Sequence, residues 1–270
     1  QDLTIVGEKY IALGTTSFIS VRYTNVDSLY FKVFRISTDL GKRLSSLQQN
    51  DSLLWAAATA LNIEQQWQIK LKDVRDYQSH TTEVVLPAMT TGRYVILAST
   101  DNHTSYTGQP FGYTTIQVTN LAMLEFASGD EHHFQVLDRN NGKPIEGARI
   151  HLEKSYPKDN NPVVDEDITT GNQGIGTYKR QSRVYSNVDA TIIFNGDTAT
   201  FGDYYVYPTS DGDREHDERI TAHSFLFTDR SIYRPGQVIF FKGILIQTKK
   251  GKSSVLPGQY VSVYLDHVNG

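Results

Sequence analysis

The chain has 270 residues, 39% hydrophobic and 21% charged, with a formal net charge of −4. That composition can bury real cores and excludes a disordered chain, and the length allows about two domains of roughly 100–150 residues each. With no basic stretch longer than Lys249-Lys250-Gly251-Lys252, the balance also argues against nucleic acid as a partner, which needs a concentrated positive face.

Strand-like alternation begins with Ile19, Val21 and Tyr23 on one face and Ser20 and Arg22 on the other. After the turn-like cluster Asn25-Val26-Asp27-Ser28, Leu29, Phe31 and Val33 repeat the pattern. Residues 44–61 interrupt it, since Leu53, Leu54, Ala56-Ala57-Ala58 and Ala60-Leu61 are better helix formers than strand formers. A short helix or an irregular excursion is expected there. Trp67, Ile69 and Leu71 then alternate with Gln66, Gln68, Lys70 and Lys72, the pattern of a half-buried antiparallel strand. Thr82-Glu83-Val84-Val85-Leu86 follows, then Tyr94-Val95-Ile96-Leu97-Ala98, apolar on both faces and so a central strand. Thr114-Thr115-Ile116-Gln117-Val118 closes a first domain over residues 1–119.

A second domain is expected over 120–220. His132 to Leu137 form a strand with Phe134 and Val136 inward, Asp138-Arg139-Asn140-Asn141-Gly142 supplies a turn, and Lys143-Pro144 permits only an edge or a strand start. Ala148, Ile150 and Leu152 form the buried face of the return strand. Residues 153–176, polar and rich in Pro, Asp, Asn and Gly, are expected to be a long mobile loop. Strands follow at 189–195 and 200–207, and the acidic stretch 210–219 reads as a linker.

A third domain is expected over 221–270, with strands at 224–227 and 238–246 and a further alternation of Val261, Val263 and Leu265. So few strands cannot close a sandwich of about seven, so this domain is expected to be incomplete, with an edge that is sticky or covered by a partner. The chain stops at Asn269-Gly270, a dipeptide that normally turns a strand into its partner, so the natural polypeptide is expected to continue. The fold class is therefore all-β, with tandem immunoglobulin- or fibronectin-like sandwiches of which the last is incomplete. The skew toward 16 Tyr and 12 Phe against 2 Met agrees.

There is no cysteine, which excludes disulfides, thiolate metal sites and Cys nucleophiles. This fits a bacterial periplasmic or surface protein whose domains fold without staples, although cytosolic chains also lack Cys. No apolar run approaches the roughly 18 residues of a spanning helix. The absence of a leader before Gln1 fits either a cytosolic protein or a mature chain whose export signal was cut.

The string from Phe227 to Val238 has a physical reading of its own. A strand ends near Arg234, Pro235 sets φ at the first corner of a turn, Gly236 takes the positive-φ corner of a type II turn, and a new strand starts at Gln237. Asp229 is placed to pair with Arg230 or Arg234 and hold the turn against the sandwich end. As a whole, Asp229-Arg230, two residues, Tyr233-Arg234-Pro235-Gly236, a polar residue and a hydrophobic strand resemble the signature of a macroglobulin domain in α2-macroglobulin-family proteins. Residues 132–152 resemble the domain that precedes it. Residues 67–100 resemble the macroglobulin domain before that one in large exported proteins of Bacteroidetes-type bacteria.

The resemblance implies macroglobulin-type sandwiches throughout and an exported protein, periplasmic or at the cell surface. Its partners would be proteases, met through the full-length protein, and other domains of the same chain. Family members entrap proteases through a cleaved bait, and many carry a Cys–Gln thioester, but both lie downstream of these domains. What remains is a scaffold. No catalytic, cofactor-binding or metal-binding residue and no cofactor are expected, and Asp229, Arg230, Tyr233, Arg234, Pro235 and Gly236 are assigned a structural role.

Other chemistry is weaker. His132 and His133, adjacent on a strand, point to opposite faces and cannot share one ion, so a surface strand end is the expected reading. The acidic run 211–218 lacks the order of a calcium loop, and His216 and His223 lack zinc-helix spacing. Gly171 to Gly176 follows no strand and opens no helix, so it reads as a flexible turn and not a nucleotide loop. No Gly-x-Ser-x-Gly elbow occurs. Asn102-His103-Thr104 is a glycosylation sequon that matters only in a eukaryotic source. The aromatic residues Trp55, Trp67, Tyr106, Phe111, Tyr204, Tyr205 and Tyr207, with the polar stretch 153–176, leave an alternative: a carbohydrate-binding or adhesive sandwich of a bacterial surface protein.

Overall fold

Period-two burial runs through most of the strands and decides which face of each sheet meets another layer. The computed structural model describes residues 2–71, 76–103, 105–128, 131–155, 164–179, 186–206, 221–229, 233, 236–249 and 252–264. The chain divides into two units, Gln1–Pro208 and Thr209–Gly270.

The first part of the first unit runs β1 (Asp2–Gly7), β2 (Tyr10–Ile11), β3 (Phe18–Thr24), β4 (Ser28–Ile36), α1 (Thr38–Ser46), α2 (Asp51–Thr59), β5 (Ile63–Lys70), β6 (His80–Val85), β7 (Gly92–Ser99) and β8 (Phe111–Val118). Strands β1-β3-β6 make one sheet and β2-β8-β7-β4-β5 a second. Their facing sides bury Leu3, Ile5, Ile19, Val21, Leu29, Phe31, Val33, Tyr94, Ile96 and Ile116 in one core. The far side of the larger sheet, with Phe34, Ile36, Val95 and Leu97, is covered by Leu44 of α1 and Leu54, Trp55 and Ala58 of α2. Strand β7 is thus apolar on both faces because it has a layer on each.

The interruption at 44–61 is therefore the end of α1, a turn and α2, and the helical content also reaches back to Thr38. Each helix has its own cap: the Ser37 hydroxyl accepts from the Leu40 N–H at 3.2 Å, and Asn50 Oδ1 from the Leu53 N–H at 3.1 Å.

The second part runs β9 (Leu121–Ser128), β10 (Glu131–Asp138), β11 (Arg149–Lys154), β12 (Asp165–Thr169), β13 (Ile175–Lys179), β14 (Ser186–Phe194) and β15 (Asp197–Val206). Sheets β13-β10-β9 and β12-β11-β14-β15 face each other over Phe134, Val136, Ala148, Ile150, Leu152, Val188, Ala190, Ile192 and Phe201. The hairpin from β14 to β15 turns through Asn195 and Gly196 at φ 48° and 81°, the two positive values a two-residue type I′ turn requires.

The expected long loop at 153–176 is corrected. Strand β12 pairs with β11 from Arg149↔Thr169 to Glu153↔Asp165, and β13 begins at Ile175; residues 156–163 lie outside the described residues. β12 is an edge strand, and only Ile168 of its five residues packs on the core, so its composition looks like a loop. The acidic stretch 210–219 lies outside the described residues.

The second unit holds β16 (Thr221–Thr228), β17 (Phe241–Lys249) and β18 (Lys252–Val255) in one antiparallel sheet. The strand expected at 238–246 begins three residues later, at Phe241, and residues 237–240 are in no strand. Val261 and Val263 are exposed and in no strand, and Leu265 lies outside the described residues. Alternation marks a face to be buried, and among the described residues no second layer meets this sheet. Phe225, Leu226, Phe227 and Phe241 are exposed accordingly.

The helix layer predicts a sharp contrast. Trp55→Ala removes a fully buried side chain and is expected to cost about 3–5 kcal/mol. Leu53→Ala, on the exposed side of the same helix, should stay within about 0.5 kcal/mol. Urea unfolding followed by near-ultraviolet circular dichroism checks both.

Candidate functional site

The signature loop is organised around Asp229. Its Oδ1 accepts from the Tyr233 hydroxyl and from the Phe240 N–H at 3.0 Å, while its own N–H donates to the Phe240 carbonyl at 3.0 Å. One carboxylate thus ties Tyr233 and Phe240 to the end of β16. Gly236 has φ +85°, the positive value expected at its corner. Arg230, Arg234 and Pro235 lie outside the described residues, and so does any pairing of Asp229 with either arginine.

A denser arrangement joins the two sandwiches of the first unit. Only Thr119 and Asn120 separate β8 from β9. Asp197 Oδ2 accepts from the Thr119 hydroxyl and the Asn120 N–H, both at 2.9 Å, and the Leu13 N–H donates to Asn120 Oδ1 at 3.1 Å. Tyr10 stacks on Phe201 with ring centroids 4.9 Å apart, and the Arg139 guanidinium donates to the Tyr10 carbonyl at 3.0 Å. The Thr200 N–H donates to Gln117 Oε1 at 3.0 Å.

On one side of this joint, α1 reaches the second sandwich. Lys42 Nζ lies 3.0 Å from Glu153 and 2.9 Å from Asp189. Asp189 sits at the bulge where the pairing of β14 with β15 shifts register, and its carboxylate also accepts from the Ser155 hydroxyl at 2.8 Å. It occupies space that a side chain at Gly202 would fill, a Cβ there coming within 2.6 Å of Asp189 Oδ1. Burial alone would lower the Lys42 pKa, but its hydrogen bonds and attraction to Asp189 and Glu153 outweigh this and raise it. The elements together enclose a cleft of about 830 Å³.

No family model matches the chain, and no curated protein matches its sequence. Among solved structures, the fragment of native α2-macroglobulin from Escherichia coli spanning domains NIE-MG1 is similar over 74% of this chain and 97% of its own length, at 11% identity and a TM-score of 0.50. The likeness is one of fold. A longer fragment of the same protein, MG0-NIE-MG1, aligns over 75% of this chain at 11% identity and a TM-score of 0.49, and this chain spans 64% of it. The fold is all-β and built of macroglobulin-like and immunoglobulin-like sandwiches.

The remaining candidates resolve into packing. His132 and His133 do face opposite ways, but His132 is not at a surface strand end. It is buried beside Phe134 and Val136, with Nδ1 3.0 Å from Glu125 Oε1, while His133 pairs with the Thr177 hydroxyl at 3.0 Å. The 171–174 segment is a defined turn, closed by the Gly174 N–H on the Gly171 carbonyl at 2.8 Å. Trp55, Tyr106 and Phe111 cluster in the helix layer, and Trp67 stacks on Phe31 at 4.9 Å. Tyr204 packs edge-on to Phe134 at 6.0 Å, and burial pushes its phenol well above the ordinary tyrosine range. The Tyr205 side chain and Tyr207 lie outside the described residues. Among the described residues, no group of three His, Cys, Asp or Glu is placed to hold a metal ion, and no helix is long and apolar enough to cross a membrane.

Two expected outcomes follow from this geometry. The raised Lys42 pKa means that the folded chain holds its proton more tightly. Its contribution is therefore complete below its ordinary value of 10.5 and disappears as pH rises through the raised folded value. The stability gap between the native chain and Lys42→Met should be about 1 kcal/mol at neutral pH, after allowing for solvent screening, and should persist into mildly alkaline solution and close in the alkaline limb of a pH series of urea melts. In the loop, Asp229→Ala should speed hydrogen exchange at the Phe240 amide by roughly tenfold, the equivalent of about 1.4 kcal/mol. Heteronuclear exchange spectra read this directly.

Proposed function

We propose that this chain is a non-catalytic scaffold and interaction segment of an exported α2-macroglobulin-like protein. In this reading macroglobulin-type domains occupy residues 1–119 and 120–220, residues 221–270 are the start of a third, and the bait and thioester belong to other parts of the polypeptide. The observation that carries the proposal is the pair of sandwiches locked by a two-residue connector, with a fold similar to the NIE-MG1 fragment of the Escherichia coli protein. The resemblance of residues 227–238 to the macroglobulin signature supports it independently, and Asp229 gives that string a mechanical role in closing the loop. The resemblance of residues 67–100 favours large exported proteins of the Bacteroidetes type as the context, in the periplasm or at the cell surface, with proteases as partners of the whole protein.

A scaffold segment contributes shape and rigidity. Fixing two sandwiches in one orientation lets a cleavage elsewhere in a large protein be transmitted as a movement of whole arms. The adhesive alternative draws on aromatic side chains, and Trp55, Trp67 and Tyr204 are engaged in packing.

The test compares this chain with the longer polypeptide that contains it. The chain alone should turn over no substrate and leave protease activity unchanged. The longer protein should suppress digestion of a folded protein substrate while sparing a small peptide substrate, as enclosure demands. Turnover by the purified chain, or no protection of the large substrate by the longer protein, would overturn the proposal.

A further inference from the structure

We infer that the cleft beside the joint is a binding site for an oxyanion, a carboxylate or phosphate group held by the neighbouring side chains of Arg93 and Gln117. The starting point is a pair of donors without acceptors. Arg93 on β7 and Gln117 on β8 are direct cross-strand partners in the antiparallel pairing, so their side chains leave the same face of the sheet about 5 Å apart. Both line the cleft.

Gln117 is 97% buried, since 3% of its surface remains accessible. Its Oε1 is committed to the Thr200 N–H, which fixes the amide orientation and leaves Nε2 as a buried donor with no partner. Such a group carries a desolvation cost that a ligand acceptor would relieve. Arg93, half-buried, makes no hydrogen bond or ion pair among the described residues, although burial lowers its pKa and Tyr10 and Asp189 act on it through space. Its five N–H donors form the fork that carboxylates and phosphates fit.

The surroundings point the same way. Lys9, Lys42, Arg43 and Arg93 line the cleft against the single acid Asp189, and Lys42 already satisfies that acid. The cleft is therefore positive in a chain whose net charge is −4. Helix α1 accommodates the guanidinium: a Cβ at Gly41 would stand 3.1 Å from an Arg93 terminal nitrogen. A glycine inside a helix is unfavourable relative to alanine, and here its lack of a side chain leaves Arg93 its place in the lining of the cleft. At about 830 Å³ the space suits a ligand of small-molecule size or a few residues of an acidic segment.

The test titrates the whole chain with inorganic phosphate and, separately, with citrate, at ionic strength held constant with chloride. The Arg93 side-chain N–H and the Gln117 side-chain amide are followed by nuclear magnetic resonance. Saturable shifts at both groups are expected, with a dissociation constant of about 1 mM or tighter for the better ligand. Preference for phosphate or for citrate assigns the ligand class. Arg93→Met should weaken binding by at least about tenfold, the loss of one charge-assisted contact. Gly41→Ala, which keeps every charge and suits the helix, should weaken it too by displacing the guanidinium. Shifts that fail to saturate, that spread over exposed lysines alone, or that persist unchanged in both variants would overturn the site.

Discussion

A sheet that is apolar on both faces has to be covered twice, and the five-stranded sheet of the first sandwich imposes that requirement on everything around it. Leu29, Phe31, Val33, Tyr94 and Ile96 on one side take the three-stranded sheet as their cover. Phe34, Ile36, Val95 and Leu97 on the other take two short helices, which the chain supplies between β4 and β5. At nine residues each, these helices are too short to be stable alone. They persist because Leu44, Leu54 and Trp55 bury against the sheet. Helix α1 then carries Lys42 to Glu153 and Asp189 of the second sandwich. The second layer of the first sandwich is thus also part of the joint to the next.

The joint itself is stiff for local reasons. A linker of two residues has no slack, and both of its residues are hydrogen-bonded across to Asp197. Aromatic stacking of Tyr10 on Phe201 adds a directional apolar contact, and the backbone of Thr200 is held by Gln117. Relative motion is the default for neighbouring domains with small polar interfaces. Here a hinge would have to break the Lys42 ion pairs, the Asp197 hydrogen bonds or the Tyr10–Phe201 stack.

Much of this was legible in the sequence where burial was one-sided. The alternations at Ile19-Val21-Tyr23, Phe134-Val136 and Ala148-Ile150-Leu152 are buried as read, because each strand has one apolar and one polar face. Legibility failed where a strand's composition was decided by something other than a core. β12, Asp-Glu-Asp-Ile-Thr, is an edge strand and reads as a loop. β9, rich in Leu, Ala, Met and Glu, has helical propensity overridden by pairing along the whole of β10. The opening strand β1 alternates only over Leu3 and Ile5, both buried, too short a run to stand out from the sequence. At 261–263 the opposite holds: alternation is present, but no layer faces it among the described residues, and a strand needs a partner as well as a pattern.

The cleft was hidden for a different reason. Nothing in the order of residues links Gly41, Arg93, Gln117 and Asp189, which come from four separate elements of two sandwiches. Only register makes Arg93 and Gln117 neighbours, only a bulge puts Asp189 opposite Lys42, and only two missing side chains, at Gly41 and Gly202, leave room for the charges. A sandwich core is built from periodic apolar residues and has little capacity for polar recognition. Where two sandwiches meet, the period is broken, backbone and side-chain donors are left over, and charges can be held half-buried. In a tandem all-β chain the joints are therefore where selective chemistry has to be sought, even when each domain taken singly is only a scaffold.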